Sequence, residues 1–404
     1  MKNTAKIVFI SYYYWPPHFG GELRIAIERF QSICERGKEV VVFTSAVPGY
    51  PRSEIRDGIK IFRSPSIGWG RIARRINRLI FWFWLYCRLL ILKNMAALHI
   101  ETIVNVLGYI PAHQYALLLL QIAKIKGART ICVHSLASNE SDIFNLGNKW
   151  EKKYYDRMDS IVCVSNALFS AVKVKYPEKA ILEPCGIHED IFFPLSKQER
   201  DSFREEHHIT SSDIVFSFTG SFEFRKGLDL IIDVYNQLRA QMNWKLWLIG
   251  PYRKEESQYI HEEEVRALIR PLEQDYGRVK LWGRIDDRKL LARVISSSDI
   301  FLFPTRREGF GIAPLEAMSC GIPVIVSRIP GITDMANIDG ITGLYIKPGD
   351  RHDLEAAMMQ LANNADLRRK MGEQGRLQIV TNFSWNTHID RWEEIYFSDE
   401  KKEK

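Results

Sequence analysis

Short apolar runs alternate with longer helical stretches along most of the chain. In the first half the runs are Lys6–Ser11, Glu39–Thr44, Ile59–Arg63, Glu101–Val106, Arg129–His134 and Ser160–Ser165. Each has the length of a strand. Between them lie helical stretches such as Glu22–Arg36, stopped by Gly37. This alternation predicts a parallel sheet covered by helices. A second series starts after residue 210, with Asp213–Thr219, Lys245–Gly250, Val279–Gly283, Asp299–Phe303 and Pro323–Ser327. No fixed period relates the two series, so they predict two separate Rossmann-like α/β domains rather than a repeat array. Residues 1–190 and 191–382 are the expected domains. The linker is placed at about 185–198, where Pro184, Gly186 and Pro194 interrupt the pattern. The tail departs from the alternation. Asp366–Thr381 predicts a surface helix, and Ser384 suits the cap of a last helix running through Tyr396, within a terminal segment 383–404.

One segment differs from its surroundings. Arg71, Arg74, Arg75 and Arg78 recur at the spacing of one helix stripe, and an apolar, aromatic stretch, Leu79–Leu92, follows. Fourteen such residues interrupted by Arg88 are too short to span a bilayer. They are long enough to lie in a membrane interface, with the arginines on headgroups and Trp82 and Trp84 at the boundary. The alternative is a helix of the N-terminal core.

A chain of 404 residues is long for one domain, which agrees with two. The net charge of +7 suits an anionic surface or ligand. No basic arm or zinc-finger spacing points to nucleic acid. Six cysteines stand singly at 34, 87, 132, 163, 185 and 320, with no CxxC pair, which suits free thiols in a reducing cytosol. The N-terminus runs directly into a strand, so no cleavable leader is expected.

The stretch most specific for chemistry is TRREGFGIAPLEAMSCGIP, residues 305–323. It follows the apolar run Ile300–Phe303 and predicts a strand, a glycine loop, one short helix with Pro314 at its first position, and a stop at Cys320-Gly321. Gly309 and Gly311 permit close backbone approach to a ligand, and the helix directs its free amides at the same space. Glu308 and Glu316 bracket that space. A carboxylate repels phosphate, so both read as acceptors for hydroxyls, which describes a nucleotide sugar. The same spacing also fits a plain strand–loop–helix connection.

Within EGFGIAPLEAMSCGIPV, seven residues separate Glu308 from Glu316, and the stretch resembles the signature of retaining glycosyltransferases of group 1, or family 4. The resemblance runs along the whole chain and is stronger in the C-terminal half. It implies two Rossmann-like domains facing a cleft, the B-type glycosyltransferase fold, with a C-terminal helix crossing back onto the N-terminal domain. Trp385, Trp392 and Tyr396 would be buried there.

The resemblance also assigns roles. Gly20-Gly21, after the first strand, would lie near the donor phosphates, and His134 would face the donor sugar. In Thr219–Gly227, Gly220 and Lys226 match the family's phosphate clamp. Ser221 replaces its usual arginine, and Arg225 is the substitute offered by this sequence. Gly283-Arg284 resembles the nucleobase contact. Amides of Gly309, Phe310, Gly311 and Ile312 would hold the distal phosphate or sugar, with Glu308 on sugar hydroxyls and Glu316 on the ribose. His134, Lys226 and Glu308 are the expected catalytic residues. No aspartate pair calls for a metal, so neither metal nor cofactor is expected. The reaction expected is retaining transfer from a nucleotide-diphosphate sugar to a lipid-linked or cell-surface glycan, by a cytoplasmic protein held peripherally on the inner face of the membrane. Two other classes stay open: a sugar-nucleotide epimerase on the same fold, and a non-catalytic membrane-associated partner protein.

Overall fold

The computed structural model describes residues 6–11, 21–69, 71–101, 112–134, 149–240, 242–252, 262–272, 277–331, 336 and 339–397. The chain forms two units, one of Met1–Pro184 with Asn386–Lys404 and one of Cys185–Trp385.

The first unit is built on β1 (Lys6–Ile10), β2 (Glu39–Thr44), β3 (Ser53–Arg56), β4 (Ile59–Arg63), β5 (Met95–Glu101), β6 (Arg129–His134), β7 (Ser160–Cys163) and β8 (Ala180–Leu182). Their order is β3-β4-β2-β1-β5-β6-β7-β8, parallel except for the β3–β4 pair. Strands β1 and β2 are apolar and buried almost throughout, as strands covered on both faces must be. The helices are α1 (Gly21–Glu35), α2 (Arg71–Ile91), α3 (Ala112–Ile125), α4 (Lys149–Arg157) and α5 (Asn166–Lys175).

The second unit begins with α6 (Lys197–Glu206) and carries β9 (Ile214–Thr219), α7 (Leu228–Leu238), β10 (Trp244–Ile249), α8 (Glu262–Ile269), β11 (Val279–Gly283), α9 (Arg288–Ser296), β12 (Ile300–Phe303), α10 (Ile312–Ser319), β13 (Val324–Ser327) and β14 (Gly343–Ile346). Helices α11 (Arg351–Ala362) and α12 (Ala365–Asn382) follow. The sheet is wholly parallel, in the order β11-β10-β9-β12-β13-β14. Strand order therefore reverses between β9 and β12, and the crevice at such a reversal, beyond the carboxyl ends of the strands, is where an open α/β sheet receives ligands.

The last helix, α13 (Trp385–Phe397), returns to the first unit from Asn386 onward. Tyr396 Oη lies 2.7 Å from His99 Nδ1, and the Trp392 ring stacks on His99 at 5.6 Å between centroids. The Arg29 guanidinium sits 3.7 Å over Trp392. Buried His388 Nδ1 is 2.8 Å from a carboxylate oxygen of buried Glu183. Trp392 and Tyr396 are thus core residues of the first unit, whereas Trp385 stacks on His188 within the second.

Most predicted strands stand within one or two residues of their expected places. The exception is β5, which the structure places at Met95–Glu101 instead of Glu101–Val106. Asn94, in left-handed backbone at φ 59°, turns the chain out of α2 directly into this strand. Residues 102–111 lie outside the described residues.

Candidate functional site

Two loops leave the sheet on either side of the reversal, Gly220–Gly227 after β9 and Pro304–Gly311 after β12. Strong pairing within the second unit locks them together. The Arg306 amide donates to the Arg225 carbonyl at 2.8 Å, and the Thr305 hydroxyl donates to the same oxygen at 3.1 Å. Arg306 also makes a two-pronged pair with Asp229 at the start of α7, each contact 2.7 Å. Such fork-to-fork pairing fixes direction as well as distance. Gly227 closes the lock. It has φ 73°, and a Cβ there would stand 2.0 Å from the Pro304 carbonyl oxygen.

That lock brings Arg225, Lys226 and Glu308 together. Lys226 forms an ion pair with Glu308, and an Arg225 nitrogen lies 3.7 Å from the same carboxylate oxygen. Arg225 and Lys226 are neighbours in sequence, yet both reach one carboxylate, because the three-residue 3-10 turn Phe224–Lys226 bends the backbone there. Lys226 and Glu308 are mostly buried and Arg225 is partly exposed, so the cationic groups are held rather than free in solvent.

Helix α10 starts at Ile312, two residues before the position expected from Pro314. Pro314 still falls in the first turn, where a missing amide costs no helical bond. Gly311, at φ 84°, is the N-cap, and among the described residues no side chain caps the first-turn amides. By contrast α9 is capped by Asp287, whose carboxylate accepts from the Lys289 and Leu290 amides. The start of α10 therefore presents donors and the positive dipole end beside the Lys226 pair, which suits an anion. Opposite, Gly331 at φ 94° would place a Cβ 2.3 Å from the Gly309 carbonyl oxygen, so the loop after β13 packs backbone-to-backbone on the glycine loop. The helix is held from behind as well. A Cβ on Gly372 of α12 would stand 2.0 Å from the Gly321 carbonyl oxygen, and Arg376 donates to the carbonyls of Phe192 at 2.7 Å and Ser319 at 3.1 Å.

Glu316 is buried in α10, and Arg288 of α9 donates to it at 2.6 Å. A buried carboxylate needs such a partner to remain charged. Burial pushes the neighbouring Cys320 thiol far up, and the Glu316 charge adds to that. The sequence reading missed Arg288, Arg306, Asp229 and Gly331. Arg288 opens a helix directly after Asp287, a capping pattern, and that was its only local signal.

Phe310 is buried, so its side chain belongs to the core and only its backbone faces the loop. The Arg284 guanidinium donates to Asp286 at 2.8 Å, while Gly283 takes a left-handed φ of 68°. The Gly220 amide donates to the Ile249 carbonyl, which anchors the loop to β10. His134 is the last residue of β6, its side chain not among those described, and Gly21 is the first residue of α1. Gly20 lies outside the described residues. The placing of Trp82 and Trp84 at a membrane boundary needs correction. Phe81 and Leu85 are fully buried, Trp82 is buried, and Trp84 packs edge-on against Phe43 at 5.5 Å, so the tryptophans face the sheet. Arg75 is exposed and Arg78 half-buried, and the side chains of Arg71 and Arg74 are not described.

Two doubly wound α/β units, with the last helix returning to the first, define the B-type glycosyltransferase fold. Residues 199–378 match the family model described as "Glycosyl transferases group 1". Over 388 residues the chain is 24% identical to N-acetyl-alpha-D-glucosaminyl L-malate synthase of Bacillus anthracis, covering 94% of each chain. The fold matches sucrose-phosphate synthase of Thermosynechococcus elongatus with a TM-score of 0.77 at 20% identity, over 97% of this chain and 98% of that one. It also matches HepE of Anabaena, solved with UDP and glucose, with a TM-score of 0.71 at 15% identity, over 98% and 100%. Residues 199–378 thus carry the likeness to the group 1 glycosyltransferases, and the two units have the B-type fold.

Proposed function

We propose that the protein transfers a sugar from a nucleoside-diphosphate sugar with retention of configuration, to a lipid-linked or cell-surface glycan acceptor presented at a membrane. The observation that carries this reading is the meeting of Lys226, Arg225 and Glu308 beside the amide end of α10. Departure of a nucleoside diphosphate builds negative charge on its distal phosphate. Fixed cationic and amide donors aimed at that position stabilise the charge without reorganising. Lys226 is held by Glu308, so an arriving diphosphate competes for the same ammonium. As Lys226 turns to the phosphate, Glu308 is released to accept from sugar hydroxyls. Glu316, kept charged by Arg288, accepts from the ribose hydroxyls. The leaving phosphate takes the acceptor proton on the same face, so bond making and breaking share one side of the ring and the configuration is kept. The basic pair does the work that a divalent ion does elsewhere, so the reaction is proposed to be metal-independent.

The test is direct. Uridine, guanosine and adenosine diphosphates and their sugars are titrated against the protein while its melting temperature is followed, since a ligand of the native state raises it by mass action. The complex of HepE with UDP supports starting from the uridine series. Product formed from the stabilising donor is then examined by NMR for anomeric configuration, with and without EDTA. No stabilisation by any nucleotide, or a product of inverted configuration, overturns the proposal.

A further inference from the structure

We propose that the outward face of α2, with the adjoining end of α3, lies on an anionic lipid surface. This deepens the acceptor part of the function proposed above but rests on the geometry of the first unit. Helix α2 is apolar on two opposite faces. One packs against the sheet through Phe81, Leu85 and Leu89. The other carries Ile72, Ile76, Leu79, Phe83 and Leu90, all exposed, Phe83 at 72%. Their spacings of four, three, four and seven residues keep them on one line, since each residue advances about 100° around a helix. That line runs nearly the full length of the helix.

The exposure continues beyond the line. Ile67 and Trp69 are exposed just before the helix and Ile91 at its end. Lys126 donates to the Leu90 carbonyl at 3.0 Å and the Leu92 carbonyl at 2.7 Å, which sets the end of α3 beside the end of α2. Ile125 is exposed there. Of the eighteen large apolar side chains exposed among the described residues, eight fall within residues 67–91. Scattered exposed apolar residues are ordinary, but a continuous band marks an interaction surface.

Charge identifies the occupant. Residues 71–91 hold five arginines and no acidic residue. Arg75 and Lys93 are exposed beside the band. A second copy laid on this face would bring two acid-free, arginine-bearing helices together, and such like-charge juxtaposition is costly. Anionic headgroups neutralise Arg75 and Lys93 while acyl chains cover the apolar line, with Trp69 suited to the boundary. Among the described residues no helix is long and apolar enough to cross a membrane, so the helix lies on the surface rather than through it.

The experiment uses the full chain with vesicles of mixed phosphatidylglycerol and phosphatidylcholine, and of phosphatidylcholine alone. Cys87 is exposed on α2, whereas Cys34 is half-buried and its thiol is raised to about 11 by burial. A polarity-sensitive dye therefore goes onto Cys87. We expect sedimentation with the anionic vesicles, a blue shift of the dye, and partial release by salt, which screens the arginines but not the apolar contact. The double variant Leu79→Asn, Phe83→Asn should partition at least roughly tenfold more weakly, because affinity follows the apolar area inserted. Its melting temperature should stay unchanged, since both side chains already face solvent. Nucleotide binding is titrated in the same samples, so failure of the donor site and failure of the membrane face are read separately. Absence of vesicle binding by the unmodified protein overturns the proposal, as does equal binding by the double variant. A concentration-dependent dimer abolished by the double variant, without vesicle binding, overturns it in favour of a second copy.

Discussion

The lock between the two site loops gives the most stringent test. Gly227→Ala adds one methyl group at φ 73°, where alanine costs about 1–2 kcal/mol relative to its preferred backbone. The new Cβ would stand 2.0 Å from the Pro304 carbonyl oxygen, well inside van der Waals contact. Neither partner is a flexible side chain, so backbone must move, and overpacking of that kind costs a further ~1–3 kcal/mol. The combined cost of about 3 kcal/mol lowers the melting temperature of a unit of this size by roughly 6–12 °C. The movement separates Arg225 and Lys226 from Glu308 and from the Thr305–Arg306 anchor, so affinity for the nucleoside diphosphate falls as well. Differential scanning calorimetry and a nucleotide titration measure both quantities. A melting temperature within about 2 °C of the parent, with unchanged nucleotide affinity, would refute the claim that the two loops meet backbone-to-backbone.

Four further outcomes are expected. Lys226→Ala should lower turnover, followed as release of nucleoside diphosphate, by about 10²–10³, the scale of losing one preorganised donor to developing charge; a change of less than about threefold removes Lys226 from the leaving group. Glu316→Gln should weaken free nucleoside diphosphate, whereas Glu308→Gln should spare it and weaken the nucleotide sugar; equal effects on the free diphosphate break the division between ribose and sugar. Arg288→Ala strands the Glu316 carboxylate and should reproduce the nucleotide-binding loss of Glu316→Gln, with partial rescue by Arg288→Lys; normal affinity would make Arg288 a bystander. Burial raises the Glu183 carboxyl from 4.5 to about 8, so between those pH values the folded chain holds a proton that the unfolded chain has lost. Stability therefore falls with rising pH in that window, by up to ~1.4 kcal/mol per unit, and Glu183→Gln should flatten the slope seen in denaturant titrations at each pH; an unchanged slope assigns the dependence to other groups.

What the sequence disclosed follows from how locally each feature is encoded. Strands buried on both faces, such as Ile300–Phe303, stand out as continuous apolar runs and are found almost where expected. Edge strand β3, Ser-Glu-Ile-Arg, buries no full face and passes for a turn. Strand β5 lies away from its expected place because apolar residues persist past it, and only the left-handed turn at Asn94 decides where pairing begins. In α2 both faces are apolar, so periodicity cannot tell Trp82, which faces the core, from Phe83, which faces out. The glycine loop and its two glutamates are contiguous and therefore legible. Their partners are not, since Arg306 meets Asp229 across 77 residues of sequence and Arg288 meets Glu316 across 28. Ion pairs of that separation exist only once the sheet has set the loops side by side.

The glycine-on-glycine seat of α10 on α12 has a consequence for how the chain can be shortened or fused. Gly372 and Arg376 look like parts of a dispensable C-terminal surface helix, yet they are the footing of the anion-facing helix some fifty residues upstream. A truncated chain ending before Arg376 would discard the foundation of the proposed donor site while keeping Lys226, Glu308 and Glu316. The same dependence makes position 372 a remote control point, where one added methyl group pushes α10 forward and retunes donor affinity without altering any chemical group that meets the ligand.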